Sequence, residues 1–140
     1  MKSMRVVKYL WAAALSLGVV LFFCSIDSFV RVYFGHTVKT AENLLWGGAY
    51  ALTALTLTRC AANGKGRLFL LLTTMLAGYP VFRGAECAGA AAFACAAMAL
   101  ITAFSAIIAV FTVKERTGGL LFIPVVVWHT AVLVMLLGAL

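Results

Sequence analysis

Long apolar runs alternate with short polar ones along this chain, and the runs have the length of membrane crossings. The clearest is the last: Gly118 and Gly119 open a stretch over 118–139 that only Pro124, Trp128, His129 and Thr130 interrupt. About twenty apolar residues at the helical rise match the hydrocarbon thickness of a bilayer. Four further runs precede it, over 9–34, 44–57, 68–82 and 87–113. The breaks between them are polar or turn-forming. Residues 35–43 carry His36, Lys39 and Glu42; Asn63-Gly64-Lys65-Gly66 is a turn signal; Tyr79-Pro80 closes the third run ahead of Arg83-Gly84-Ala85-Glu86; and Lys114-Glu115-Arg116 leads into the fifth. The pattern predicts an all-α integral membrane protein, a bundle of five transmembrane helices.

The basic residues orient this bundle. With five crossings, one side collects Lys2, Arg5, Lys8, Arg59, Lys65, Arg67, Lys114 and Arg116, and the other holds only Arg31, Lys39 and Arg83. Cytoplasmic segments hold the excess of Lys and Arg. The N-terminus is therefore expected in the cytoplasm and the C-terminus outside, in a membrane of the bacterial inner-membrane type. Reading 68–113 as one helix would bury Arg83 and Glu86 at mid-membrane and destroy this alternation.

Composition agrees with the pattern. Of 140 residues, 65% are hydrophobic and 11% charged, and the mean hydropathy is +1.10; that leaves too little polar surface to coat a soluble globule. The length suits a single membrane domain over 1–140, with the lipid bilayer as its first partner. The net charge of +7 is scattered between apolar runs rather than gathered into a tract or groove, so nucleic acid is not expected. Phe22 and Phe23 ahead of Cys24 are too bulky for a small-residue cleavage site, and the first run is read as a span rather than a signal peptide. The fourth run is rich in Ala and Gly, which let helices approach closely in lipid and permit a homodimer.

Few residues offer chemistry. In Trp46-Gly47-Gly48-Ala49-Tyr50, two large rings share one face at i, i+4, and the glycines leave room for a partner backbone or a flat ligand; an interfacial aromatic belt is the other reading. Tyr79-Pro80-Val81-Phe82 is read first as a proline-marked helix end. Pro124 and Trp128 share a face in the same way, and that face is expected to pack on the bundle. His129 lies near mid-span, where a ring of its polarity should be hydrogen-bonded inside the bundle. Because His36 belongs to an outer connection at a different depth, a two-histidine haem site is not expected.

Asp27, Arg31, His36, Glu42, Arg83 and Glu86 all fall on the outer side, as a solvated rim or as a polar entrance. Asp27 and Arg31 are spaced to pair. Cys24, Cys60, Cys87 and Cys95 lack metal or redox spacing and are read as small hydrophobes; no metal site is expected. No catalytic constellation is visible, neither a Ser–His–Asp order, nor a phosphate loop, nor a carboxylate pair within a span.

Three motifs carry a family resemblance. Trp46-Gly47-Gly48-Ala49-Tyr50 looks like the WGxxY signature in the second helix of the translocator proteins, also called tryptophan-rich sensory proteins or peripheral benzodiazepine receptors. Tyr79-Pro80-Val81-Phe82-Arg83-Gly84 resembles the aromatic-Pro-x-Phe-Phe-Gly end of their third helix, with Arg83 in place of a phenylalanine. Leu120-Leu121-Phe122-Ile123-Pro124-Val125-Val126-Val127-Trp128 resembles their fifth-helix Leu-Leu-x-Pro-Tyr-x-x-Trp, with Val125 in place of the tyrosine. The first connection lacks the family's proline- and tryptophan-rich segment.

The resemblance implies a five-helix bundle, often dimeric, with a pocket for tetrapyrroles and other flat hydrophobic molecules. Carried over by position, Trp46, Tyr50, Phe82 and Trp128 would line it. It implies no required cofactor; a porphyrin or haem-like molecule would be ligand. The leading expectation is a receptor or carrier for such a ligand rather than an enzyme. An accessory subunit docked through the Ala-rich fourth helix is the alternative, and a small enzyme acting on a lipid or quinone the third.

Overall fold

The computed structural model describes residues 2–35, 40–114 and 119–139. It contains α1 (Lys2–Phe34), α2 (Thr40–Ala62), α3 (Gly66–Cys87), α4 (Ala91–Lys114) and α5 (Ile123–Ala139), with a short 3-10 turn, Gly119–Phe122, leading into α5. No strand occurs among the described residues. The protein is all-helical. Four stretches, Ser3–Phe34, Gly66–Cys87, Ala91–Lys114 and Leu120–Gly138, are long and apolar enough to cross a membrane. This is the architecture of an integral membrane protein.

α2 matches the others in length, with 23 residues, but is more polar. Its threonines bond back to the preceding turn: Thr53 to the Ala49 carbonyl at 2.7 Å, Thr56 to Leu52 at 2.9 Å and Thr58 to Ala54 at 2.8 Å. Each of these three hydroxyls is satisfied within the helix, so burying this face strands no threonine donor. Its buried residues, Trp46, Ala49, Tyr50, Thr53, Thr56, Leu57 and Cys60, recur every three or four positions and form one inward face.

Several boundaries differ from the sequence reading. The third helix does not end at Pro80; Pro80 lies inside α3, and Arg83, Gly84, Ala85 and Glu86 form its last turns rather than a connection. Proline removes one donor from the ladder, a loss a packed helix can absorb, and Arg83 finds partners inside the protein instead of in solvent. α2 extends beyond 44–57 at both ends, α4 starts at Ala91 rather than 87, and α1 begins at Lys2. The fifth run is not one α-helix: it enters as a 3-10 turn, and Pro124 then occupies the first turn of α5, where its missing N–H has no helical partner to lose. His36 and Lys39 lie outside the described residues.

The two tight turns are closed in the same way. After α2, the Lys65 N–H bonds the Cys60 carbonyl at 2.8 Å and the Gly64 N–H bonds Ala61 at 3.4 Å; after α3, the Ala90 N–H bonds Ala85 at 3.0 Å and the Gly89 N–H bonds Glu86 at 3.2 Å. Gly64 and Gly89 have φ of 70° and 76°. These are Schellman endings with glycine in the left-handed position, reversing the chain within three residues.

α1 lies against α2 and α3, α3 against α4, and α4 against α5, while α2 also reaches α5. Gly78 on α3 marks a close approach to α4, where an added Cβ would stand 2.9 Å from Cγ1 of Ile101. α4 buries Ala94, Cys95, Met98, Ile101, Ser105 and Ile108. Ala91, Ala92, Ala96, Ala99, Ala103 and Ala106 of this helix face outward, while Ala97 and Ala109 are half-buried. No Cα of α3 comes within 8 Å of one of α5 among the described residues. Side chains bridge that gap.

Candidate functional site

The bridging side chains are mainly aromatic. Trp46 of α2 meets Tyr79 of α3 edge-on with ring centroids 5.2 Å apart, meets Trp128 of α5 edge-on at 5.6 Å, and lies tilted on Phe82 at 6.0 Å. Tyr50, one turn along α2, meets Tyr79 edge-on at 5.2 Å. Edge-to-face contacts of this kind set the positive rim of one ring against the negative face of another. The four rings implied by the resemblance, Trp46, Tyr50, Phe82 and Trp128, thus belong to one cluster. Tyr79, read from the sequence only as part of a helix end, links Trp46 to Tyr50 within it. The signal was available: Tyr79, Phe82 and Arg83 are spaced i, i+3, i+4 and must share a face once α3 continues past Pro80.

The Tyr79 hydroxyl is hydrogen-bonded to Nε2 of His129. His129 is fully buried, in the bundle position its sequence context predicts. The expectation for α5 needs correction in its facing, however. Phe122, Val125, His129 and Val132 are the buried row, whereas Pro124 is exposed and Trp128 half-buried. His129, not Trp128, points most directly inward. The glycines of α2 also differ from expectation. Gly47 and Gly48 are exposed, and a Cβ on either would meet no atom within 4 Å, so they lie on the outer face of α2 and not beside the rings.

The rings fill the space they surround. Trp46 is 7% exposed, Tyr79 2% and Phe82 1%. Yet three buried polar atoms at this junction have no hydrogen-bond partner: the Tyr50 hydroxyl, Trp128 Nε1 and His129 Nδ1. Buried polar atoms in native proteins are nearly always paired, and exceptions call for a role. Among the described residues a cavity of about 360 Å³ lies elsewhere, beside Lys65, Arg67, Leu68 and Phe111.

A charged network caps the cluster at one end. Arg83, 3% exposed, points Nε at Asp27 Oδ1 of α1 at 3.2 Å and Nη1 at Glu86 Oε1 at 2.9 Å. Its guanidinium carbon lies 5.3 Å from the Trp46 ring centroid and 5.7 Å from that of Phe82, within cation–π range. Arg31 reaches Asp27 Oδ2 at 3.6 Å and donates from Nη1 to Asn43 Oδ1 at 2.7 Å. Of the six residues considered as rim or polar entrance, Asp27, Arg31, Arg83 and Glu86 are brought together, Glu42 is exposed on the first turn of α2, and His36 lies outside the described residues. Asn43 joins them, a partner the sequence reading missed because it placed Asn43 in a connection.

None of the four cysteines is in a disulfide, and Cys60 and Cys95 are buried. No group of three His, Cys, Asp or Glu suited to a metal ion occurs among the described residues. Compared with family models, with curated proteins and with solved structures, the chain matches none of them.

Proposed function

We propose that this protein is a membrane receptor or carrier that holds a planar hydrophobic molecule of the tetrapyrrole class at the junction of α2, α3 and α5. The observation that carries this reading is the combination of five converging rings with three buried, unpartnered polar atoms, on Tyr50, Trp128 and His129. A flat apolar ligand with a few polar atoms answers both features: aromatic faces stack on it, and its polar atoms pair the orphaned groups. The rings would part to admit it, Trp46 and Trp128 exchanging contact with each other for contact with the ligand. The resemblance of the three motifs to translocator proteins points to the same ligand class.

In this reading α2 is the fifth crossing. Its 23 residues extend about 34 Å at the usual helical rise, enough for the hydrocarbon core. The excess of Lys and Arg near the start of α1, the α2–α3 turn and the end of α4 then assigns the N-terminus to the cytoplasm and the charged network to the outer face of a bacterial inner membrane.

Titration of the purified protein in detergent with protoporphyrin, followed by the porphyrin absorbance band and by tryptophan fluorescence, tests the site. Saturable binding that is lost in Trp46→Ala and Trp128→Ala supports it. Partitioning without saturation, equal in the variants, overturns it.

One observation favours a second reading. Five of the outward alanines of α4, from Ala92 to Ala106, are spaced 4-3-4-3, the repeat on which two helices pack closely in a left-handed pair. An accessory subunit would use this face, and a partner recovered in fixed stoichiometry after mild solubilisation would support that role.

A further inference from the structure

A purely apolar ligand explains the rings but not Arg83. Its guanidinium is nearly excluded from solvent and lies against Trp46, the ring at the centre of three aromatic contacts. As a tie between α1 and α3 it is an expensive device, because a buried ion pair seldom outweighs the cost of desolvating both charges. Nor is it held as tightly as a guanidinium can be: Asp27 and Glu86 each take one nitrogen, at 3.2 and 2.9 Å, and neither forms the two-pronged pairing that suits arginine best. Arg31, at the same end, has a buried Nε with no partner.

We propose that Arg83 receives a carboxylate of the ligand, which makes the ligand a planar apolar ring bearing an acidic side arm. This inference rests on the reading of the aromatic cluster as a ligand site. Any flat molecule stacked on Trp46 comes within reach of the guanidinium 5.3 Å from that ring. Glu86 is the partner that yields. Its side chain is 26% exposed against 4% for Asp27, so it is the carboxylate nearer to water and the more readily displaced of the two. When the ligand's carboxylate replaces Glu86 on Nη1, one negative charge takes the place of another beside the guanidinium while Asp27 remains on Nε. Arg83 stands where the translocator pattern has a phenylalanine, so acid recognition of this kind would be this chain's own specificity.

The test compares two porphyrins on the full-length protein in detergent: protoporphyrin, which carries two carboxylates, and etioporphyrin, whose side arms are all alkyl. The expected result is binding of protoporphyrin about tenfold or more tighter than etioporphyrin, the scale of one charge-assisted contact. Arg83→Gln should bring protoporphyrin down to the etioporphyrin level. Glu86→Gln, at the more exposed position, should tighten protoporphyrin alone, which keeps the test decisive if Arg83→Gln does not fold. Equal, saturable binding of both porphyrins by the native protein, or a ratio unmoved in Glu86→Gln, overturns acid recognition and leaves the ring site standing. Saturable binding of neither overturns both.

Discussion

Tyr79 on α3 and His129 on α5 are hydrogen-bonded to each other across two helices whose backbones are not neighbours. Both side chains are buried, at 2% and 0% exposure. The bond therefore does for α3 and α5 what direct helix contact does elsewhere in the bundle, and it does so inside the aromatic cluster.

Tyr79→Phe should destabilise the protein by about 1–3 kcal/mol, because it leaves both nitrogens of a buried imidazole without a protein partner. His129→Leu alone should cost a comparable amount by stranding the hydroxyl. The double variant should cost less than the sum of the two, since replacing both partners removes the polar groups together. Unfolding in mixed micelles, followed by circular dichroism against denaturing detergent, gives the three values.

The Asp27–Arg83 pair should show the same asymmetry on a larger scale. Removing one partner from a buried ion pair typically costs about 3–5 kcal/mol, whereas an apolar pair of similar volume is often tolerated. Asp27→Leu is thus expected to be much more destabilising than Asp27→Leu combined with Arg83→Met. The same unfolding assay reads the difference, and equal destabilisation would mean that the pair is not desolvated.

Gly78 should resist enlargement. A Cβ there stands 2.9 Å from Cγ1 and 3.3 Å from Cδ1 of the buried, β-branched Ile101, so Gly78→Ala should already destabilise by about 1 kcal/mol and Gly78→Val by about 1–3 kcal/mol or more, as overpacking does. Ile101→Ala in the Gly78→Val background should recover part of that loss. Recovery is the informative outcome, because it ties the cost to the α3–α4 approach rather than to helix propensity.

Topology has a direct readout. An alkaline phosphatase fused after Leu140 should be active, and one inserted at Lys65 inactive, if the chain crosses the membrane five times with its N-terminus in the cytoplasm. An active fusion at Lys65 together with an inactive one after Leu140 would remove α2 from the count of crossings.

Much of the architecture was legible in the residues alone. The apolar runs announced helices of membrane length, because a helix in lipid must be apolar over its whole width and that leaves a long, unmistakable trace. Asn63-Gly64 announced the α2–α3 reversal, since a left-handed backbone position strongly favours glycine. Asp27 and Arg31, four residues apart, announced their own pairing. Boundaries were less visible. Arg83 and Glu86 looked like a solvated connection, and nothing local distinguishes a charge in a loop from a charge neutralised by Asp27 fifty-six positions earlier.

The helix count and the inventory of rings follow from composition and periodicity, which are properties of each segment taken separately. Which rings meet does not. That Tyr79 stands between Tyr50 and His129, that Gly47 and Gly48 turn outward, and that Arg83 lies on Trp46 were settled by how the helices rotate against one another. That rotation is fixed by packing between distant segments: in lipid every face of these helices is apolar, so hydrophobicity alone cannot choose which one turns inward.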